Sequence, residues 1–142
     1  MHSISAGKVH SIDPPLLSCR CRRGEFQYKV VKIPSEKILN NIKKFIPKNQ
    51  LVYVASDERN KTFFKAFKDY FPSVRYLDDF TELADLKNVN PNYLGMIDQV
   101  ICSRAQFFVG TWFSTFSGYI TRMRGYFGYA DKSVWYGDME HR

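Results

Sequence analysis

The stretch "FFVGTWFSTFSGYITRMRG", Phe107–Gly125, joins a short apolar run to an amphipathic basic segment through glycine and small hydroxyl residues. The apolar run 107–110 predicts a buried strand, and the segment 114–124 has the spacing of a helix. A buried strand that leads at once into a helix is typical of a βα unit. The stretch therefore predicts an α/β fold, and the rest of the chain repeats its pattern.

Three further apolar runs predict strands, at 15–21, 51–56 and 74–77. Three further helices are predicted, each with apolar residues at helical spacing. Their apolar stripes are Ile38, Leu39, Ile42, Phe45 and Ile46; Phe63, Phe64, Phe67, Tyr70 and Phe71; and Leu94, Ile97, Ile101 and Ala105. Pro34 and Ser35 precede the first helix, Asn60 caps the second before Pro72 stops it, and Asn90 and Pro91 open the third.

Strands and helices alternate across short loops, and no linker divides the chain. We therefore expect residues 1–142 to form a single Rossmann-like domain, with residues 1–14 poorly ordered. In this domain a mostly parallel sheet would carry helices on both faces.

Composition limits the possible partners. The formal net charge of +7 suits nucleic acid, acidic lipid or a phosphorylated small molecule, although charge alone favours a solvated basic surface with no specific partner. The longest basic run is the short 20–23, so we expect no nucleic-acid partner. No apolar run reaches the ~18 residues of a membrane span, and the first fifteen residues lack the apolar stretch of a signal peptide. Cys19, Cys21 and Cys102 lack the spacing of a zinc site, and we expect no metal.

The predicted helix start at Ser114 is a candidate anion site. Ligands of such sheets bind at the carboxyl ends of the strands, and the free N–H groups of a helix start favour an anion. Ser114, Thr115 and Ser117 would add hydroxyl donors, and Gly110 would allow close approach of the backbone. Alternatively, Ser114 only caps the helix while the other two hydroxyls are solvated. Neither a G-x-G-x-x-G motif nor a Walker lysine is present.

Two other groups of residues have the chemistry of a nucleotide site. Arg20, Arg22 and Arg23 follow the first predicted strand, where an arginine can neutralise a diphosphate through paired N–H donors. An ordinary basic surface cluster fits them equally well. Asp98 lies inside the third of the helices above, and could accept N–H groups from a guanine edge or simply face solvent.

Three stretches of this chain resemble the motifs of the GDP-fucose protein O-fucosyltransferases. They are "CRCRRGEFQY" at 19–28, "VYVASDE" at 52–58 and "MIDQVICSRAQFFVGTWFSTFSGYITRMRGY" at 96–126, and they occur in the family's order. Two positions depart from the family pattern, since Arg20 stands where the family has histidine and Glu25 where it has aspartate.

The resemblance implies the C-terminal, nucleotide-binding half of a GT-B-like glycosyltransferase. It implies transfer of fucose from GDP-fucose to a Ser or Thr of a small disulfide-rich domain, EGF-like or thrombospondin-type. It further implies a location in the endoplasmic reticulum, without a metal or other cofactor. The alternative is a non-catalytic nucleotide-binding or interaction module that lacks the amino-terminal catalytic half. A fragment and a truncated relative are both compatible with this pattern.

The resemblance also assigns site residues. Arg22 corresponds to the arginine that holds the β-phosphate and the glycosidic oxygen, and is the expected catalytic residue. Arg20 and Cys21 line the nucleotide site beside it, and Asp98 contacts guanine. Ser114, Thr115 and Phe116 correspond to the turn that binds the pyrophosphate.

Overall fold

The computed structural model describes residues 16–21, 33–111, 114–129 and 134–136, the first and last of these ranges by their backbone alone. The strands are β1 (Leu16–Cys21), β2 (Leu51–Ser56), β3 (Ser73–Arg75), β4 (Phe107–Gly110) and β5 (Val134–Tyr136). The α-helices are α1 (Ser35–Ile42), α2 (Lys65–Tyr70), α3 (Leu94–Arg104) and α4 (Thr115–Tyr126). Short 3-10 helices lie at Lys61–Phe64, Leu77–Phe80, Leu86–Asn88 and Pro91–Tyr93.

Within the described part of the chain, the strands form one parallel sheet in the order β3-β2-β1-β4-β5. In the centre, β1 pairs with β2 from Leu16 opposite Leu51 to Cys21 opposite Ser56. On its other side β1 pairs with β4, with Cys19 opposite Val109. The chain thus builds one half of the sheet, returns past its first strand, and builds the other half. This is the strand order of a Rossmann-like fold.

Side chains of β2 alternate between two cores. Val52 and Val54 pack with α1 and α2, whereas Tyr53 and Ala55 pack with α3 and α4. The first core is mostly aliphatic and phenylalanine side chains, including Ile38, Ile42, Phe64, Phe67 and Phe71; the second includes Cys102, Ala105, Phe108 and Ile120. Because neighbouring strand residues point to opposite faces, both faces of the sheet are covered. The prediction of a parallel α/β sheet with helices on both faces is confirmed.

Helix boundaries largely follow the predicted caps. The Asn60 side chain accepts a hydrogen bond from Thr62 N at 3.1 Å, and the turn that it caps continues into α2. Similarly, Asn90 accepts from Asn92 N at 3.0 Å ahead of α3. An amide that lacks a partner in the first turn is thereby satisfied in each case.

Four details differ from the predictions. Helix α1 ends at Ile42, so Phe45 leaves the helical stripe and is 45% exposed. Strand β3 ends at Arg75, and Leu77 instead starts a 3-10 helix. The stripe of α3 is only half-buried at Ile97 and neighbouring positions, because these residues line cavities rather than a packed core. Finally, β5 was not predicted, and it extends the sheet beyond β4.

None of the helices in the described ranges is long and apolar enough to cross a membrane. The expectation for residues 1–14 concerns residues outside the described part of the chain.

Candidate nucleotide site

The candidate site lies where the strand order reverses. Strand β1 lies between β2 and β4, and the chain leaves β2 toward one edge of the sheet and β4 toward the other. In open α/β sheets, the diverging connections at such a point leave a crevice at the carboxyl ends of the strands. Cys21 ends β1 and Gly110 ends β4 at this crevice. The topology therefore brings Arg20 and Cys21, the start of the arginine-rich stretch, to the same edge as the end of β4, which precedes Ser114.

Ser114 caps helix α4. Its Oγ accepts a hydrogen bond from Ser117 N at 3.3 Å, and the first intrahelical bond runs from Gly118 N to Ser114 O at 3.0 Å. The amides of Thr115 and Phe116 precede that bond and belong to the first turn, whose N–H groups lack carbonyl partners within a helix. Ser114 is thus a cap, as one of the two interpretations predicts. A cap and an anion site are compatible, because the remaining amides still point out of the helix start.

Ser117 has a different role from the one predicted. Its side chain is 1% exposed, and its Oγ accepts a hydrogen bond from Thr111 N at 3.3 Å. The hydroxyl therefore closes the turn between β4 and α4 from inside. The expectation that Ser117 offers a donor to an anion is wrong, and so is the alternative that it is solvated. Thr115 is exposed and remains available to a ligand.

Gly110 also contributes through packing. A Cβ at this position would lie 3.0 Å from both Cβ and Oγ of Ser117, and 3.1 Å from the ring of Phe108. These contacts are tighter than ordinary van der Waals separation, so only glycine lets α4 start this close to β4. We predicted close approach of the backbone to a ligand here, and the structure instead shows close approach of the helix.

Asp98 lies one turn into α3 and is half-buried. Its Oδ1 accepts a 2.5 Å hydrogen bond from the hydroxyl of Tyr53, which is 3% exposed in β2. Burial, and then the negative charge of Asp98, raise the pKa of Tyr53 above its ordinary value. The phenol therefore stays protonated at neutral pH and donates to the carboxylate. Asp98 is not simply facing solvent, as one of our interpretations had it.

The helix that carries Asp98 contacts the helix that begins at Ser114. A Cβ at Gly95, one turn before Asp98, would lie 3.8 Å from the ring of Phe116. The predicted guanine contact and the predicted pyrophosphate turn therefore belong to packed neighbouring helices. A single nucleotide could reach both, since both helices start at the carboxyl edge of the sheet.

Asp98 also borders a polar cavity of about 720 Å³ beside this edge. The cavity is lined by the ends of β2 and β3 and the start of α3: Val54, Ser56, Asp57, Glu58, Arg59, Lys61, Tyr76, Leu77, Asp78, Pro91, Leu94 and Asp98. Lys61 Nζ and Asp78 Oδ2 form an ion pair at 3.0 Å on its wall. The cavity gives a polar ligand access to Asp98 from outside the sheet.

Three predicted site residues have no described side chain. Arg20 and Cys21 are the last two residues of β1 and are described by their backbone. Arg22, the expected catalytic residue, lies outside the described residues. Among the residues that the structure does describe, no group of three or more His, Cys, Asp or Glu side chains could hold a metal ion.

Sequence reasoning missed Tyr53 as part of the site. It was assigned to an apolar strand, although a buried tyrosine hydroxyl needs a hydrogen-bond partner. The presence of that polar tip within "LVYVAS" was the available signal.

Comparison with known proteins gives one family and two solved structures. The family described as GDP-fucose protein O-fucosyltransferase matches residues 17–127. A crystal structure of POFUT1 in complex with GDP-fucose is 17% identical, with a TM-score of 0.56, and the match covers 87% of this chain and 41% of that one. A crystal structure of POFUT1 in complex with GDP is also 17% identical, with a TM-score of 0.55 and coverages of 89% and 44%. No curated protein matches the chain.

At this identity the two solved structures show the fold alone. The likeness confirms the α/β prediction, and it is consistent with one half of a GT-B-like fold. The chain spans less than half the length of either POFUT1 structure.

Proposed function

Because the chain belongs to the GDP-fucose protein O-fucosyltransferase family, we propose that it forms the GDP-fucose-binding part of a protein O-fucosyltransferase. The main support is that three neighbouring strands, each carrying part of one family motif, end at the same edge of the sheet. The carboxyl ends of β1 and β4 lie at the point where the strand order reverses, which is where such sheets bind ligands.

We propose that the diphosphate binds at the start of α4. Ser114, Thr115 and Phe116 form this start, with Ser114 as the cap and Thr115 exposed. Backbone amides and the helix dipole favour negative charge there. Guanine would then contact Asp98, which the packing of α3 on α4 keeps close by.

Arg22 is the proposed catalytic residue, beside Arg20 and Cys21. In the sequence it directly follows Cys21, the last residue of β1, and β1 lies between β2 and β4. In the proposed reaction, the acceptor hydroxyl oxygen attacks the anomeric carbon of fucose, and the bond from that carbon to the β-phosphate oxygen breaks. The hydroxyl proton passes to a base, GDP leaves, and the sugar carbon inverts. A guanidinium stabilises the negative charge that grows on the phosphate, so we propose that the step needs no metal.

Three further parts of the proposal rest on the family resemblance alone. The acceptor would be a Ser or Thr of an EGF-like or thrombospondin-type domain, and the location the endoplasmic reticulum. The base would come from the other Rossmann-like domain of a GT-B-like enzyme.

A second candidate function is a nucleotide-binding module without transfer activity. The same cap of α4 and the same Asp98 support it, since neither contact requires a transfer step. Both functions require GDP binding, and they differ in transfer.

Calorimetric titration of GDP and of guanosine tests the binding proposal. Arg22→Lys should lower the affinity for GDP by about tenfold or more, because lysine lacks the paired N–H donors with which arginine holds a phosphate. Guanosine has no phosphate, so its affinity should not change. Circular dichroism checks the fold. Equal GDP affinity in well-folded Arg22→Lys and wild type would contradict the role of Arg22.

Transfer is measured separately, by incubation with GDP-fucose and a folded EGF-like or thrombospondin-type domain. A gain of one deoxyhexose in the mass of the acceptor reports the reaction. We expect GDP-fucose binding but no transfer from residues 1–142 alone, because the proposed base lies in the other domain. Transfer by residues 1–142 alone would contradict the need for a second domain. When the second domain is supplied, transfer that persists in excess EDTA would support the metal-free step, and its loss would contradict it.

A further inference from the structure

The contact between Tyr53 and Asp98 joins the sheet to the helix that faces the polar cavity. Tyr53 belongs to β2 and Asp98 to α3, and the 2.5 Å hydrogen bond spans 45 residues of sequence. Tyr53 is almost fully buried, whereas Asp98 is half-buried. The tyrosine is therefore the fixed partner, and the carboxylate is the partner that a ligand can reach.

The two residues border different spaces. Asp98 lines the polar cavity of about 720 Å³, and Tyr53 is not part of that lining. Tyr53 lines instead a neighbouring apolar cavity of about 370 Å³ behind α3, with Ile97, Ile101 and Leu77. A ligand in the polar cavity would thus touch Asp98 and not Tyr53. Any effect of Tyr53 on binding must act through the carboxylate.

We propose that Tyr53 is a positioning residue that fixes the plane of the Asp98 carboxylate and thereby makes the site select guanine over adenine. The inference rests on the proposed function, in which Asp98 contacts the base. It adds a residue that the family motif does not assign and a physical basis for base selectivity.

The selectivity follows from the hydrogen-bonding edges of the two bases. Guanine presents two adjacent donors, N1–H and the 2-amino group, and an ionised carboxylate accepts from both. Adenine presents its 6-amino donor beside N1, which is an acceptor. A carboxylate free to rotate could turn one oxygen to the adenine amino group and the other to solvent. A carboxylate held by Tyr53 faces N1 of adenine with an oxygen, and two acceptors then repel each other.

The protonation of Tyr53 supports this geometry. Burial and the charge of Asp98 both raise the pKa of the phenol, so it remains a donor across the neutral range. A donor that stays protonated holds one oxygen of the carboxylate at a defined position, and hydrogen bonds to an ionised acceptor are the stronger ones.

The test is Tyr53→Phe, which removes only the hydroxyl and keeps the buried ring. Calorimetry of the whole chain with GDP and with ADP gives the ratio of the two affinities. We expect GDP to bind about tenfold more weakly to the variant, because a carboxylate that can turn keeps only one of its two hydrogen bonds to guanine, with ADP little changed. The GDP-to-ADP ratio should therefore fall by about the same factor. Tyr70→Phe, which removes a hydroxyl from the opposite face of the sheet, is the matched control and should leave the ratio unchanged.

If Tyr53 had a purely structural role, Tyr53→Phe would lower the affinities for GDP and for ADP by the same factor. An unchanged ratio of the two affinities would therefore overturn the proposal. Asp98→Asn separates this failure from that of the proposed function. If wild type prefers GDP and Asp98→Asn loses the preference while Tyr53→Phe keeps it, only the positioning role is overturned. If wild type does not prefer GDP, the proposed function and the positioning role fall together.

Asp98→Glu provides a second variant in case Tyr53→Phe does not fold. It keeps the charge but moves the carboxylate out of register with the Tyr53 hydroxyl. We expect Asp98→Glu to lose the preference for GDP, and full retention would overturn the proposal.

Discussion

Nη1 of Arg124 donates a 2.5 Å hydrogen bond to the carbonyl oxygen of Ala105, so that a side chain of α4 closes the end of α3. Nη2 of the same arginine donates to Gln106 O at 3.2 Å, and the guanidinium lies 4.5 Å from the ring centre of Tyr129. The Tyr129 hydroxyl donates to Arg104 O at 2.9 Å. Three consecutive carbonyls between α3 and β4 are thus bound from the end of α4. The helix that carries Asp98 and the helix that begins at Ser114 are held together at their other ends.

Arg124 should therefore contribute strongly to stability. It is 1% exposed, and Arg124→Met should lower the free energy of unfolding by about 2–4 kcal/mol, because the buried carbonyl of Ala105 and the part-buried carbonyl of Gln106 lose their donor. Urea denaturation monitored by circular dichroism measures the change. Arg122→Met, an exposed position on the same helix, is the control and should stay within about 0.5 kcal/mol of wild type. A similar result for both variants would contradict the role assigned to Arg124.

Glycine at position 110 should be required for the packing of α4 on β4. Gly110→Ala places a Cβ 3.0 Å from Ser117, so we expect a loss of about 1–3 kcal/mol from overpacking. Gly118→Ala is a control with the opposite sign. A Cβ there meets nothing within 4 Å, and alanine should stabilise the exposed helix position by up to ~1 kcal/mol. Thermal unfolding of the two variants distinguishes them, and a stable Gly110→Ala would rule out the tight contact.

The Tyr53–Asp98 contact should be visible in the alkaline pH dependence of stability. The phenol ionises near pH 10.0 in the unfolded chain, whereas burial and Asp98 keep it protonated in the folded chain at higher pH. Above that pH the folded state binds one more proton than the unfolded state, so its stability falls as pH rises. The expected slope from this one group is about −1.4 kcal/mol per pH unit.

Tyr53→Phe has no such group, so it isolates this effect from the other tyrosines and lysines. The difference in unfolding free energy between wild type and variant should be constant below pH 9 and should shrink above about pH 10. Urea denaturation at several pH values gives this difference. A difference that does not change with pH would mean that Tyr53 ionises alike in both states.

Local periodicity was sufficient to predict most of the fold. The run at 51–56 is mostly apolar because both of its faces are buried. Such a run predicts a strand even when the sequence does not show which side chains face which core. Phe45 was assigned wrongly because the helical spacing continues after α1 ends at Ile42, and spacing alone does not mark that end. Strand β5 is only three residues long, which is too short to show the alternation that distinguishes a strand from a loop.

The site was predicted less completely, since its contacts are not local. Asp98 and the Ser114 turn were proposed as site residues from residue type, from position in their elements and from the family resemblance. The partner of Asp98 is 45 residues away, and the inward orientation of Ser117 depends on how closely α4 approaches Gly110. Neither relationship has a signature in a short stretch of sequence, because each depends on the packing of two separate elements.

Thr115 and Ser114 should separate the binding of phosphate from the capping of the helix. Thr115 is exposed, and the bond that caps α4 comes from Ser114 to Ser117 N. Thr115→Ala should therefore leave the unfolding free energy unchanged. It should weaken the binding of GDP by ~1 kcal/mol, because one hydroxyl that contacts the phosphate is lost. Ser114→Ala should weaken the binding of GDP by a similar amount. It should also lower the free energy of unfolding by about 0.5–2 kcal/mol, because the helix loses its cap.

Thr115→Ser, which keeps the hydroxyl and removes only the methyl group, is the matched control and should bind GDP like wild type. Part of the affinity should survive in every variant, because the backbone amides of the first turn remain. Calorimetry with GDP and urea denaturation, done on the same preparations, give both quantities. If Thr115→Ala and Ser114→Ala bind GDP as tightly as wild type, the start of α4 only caps the helix, and the pyrophosphate must bind elsewhere.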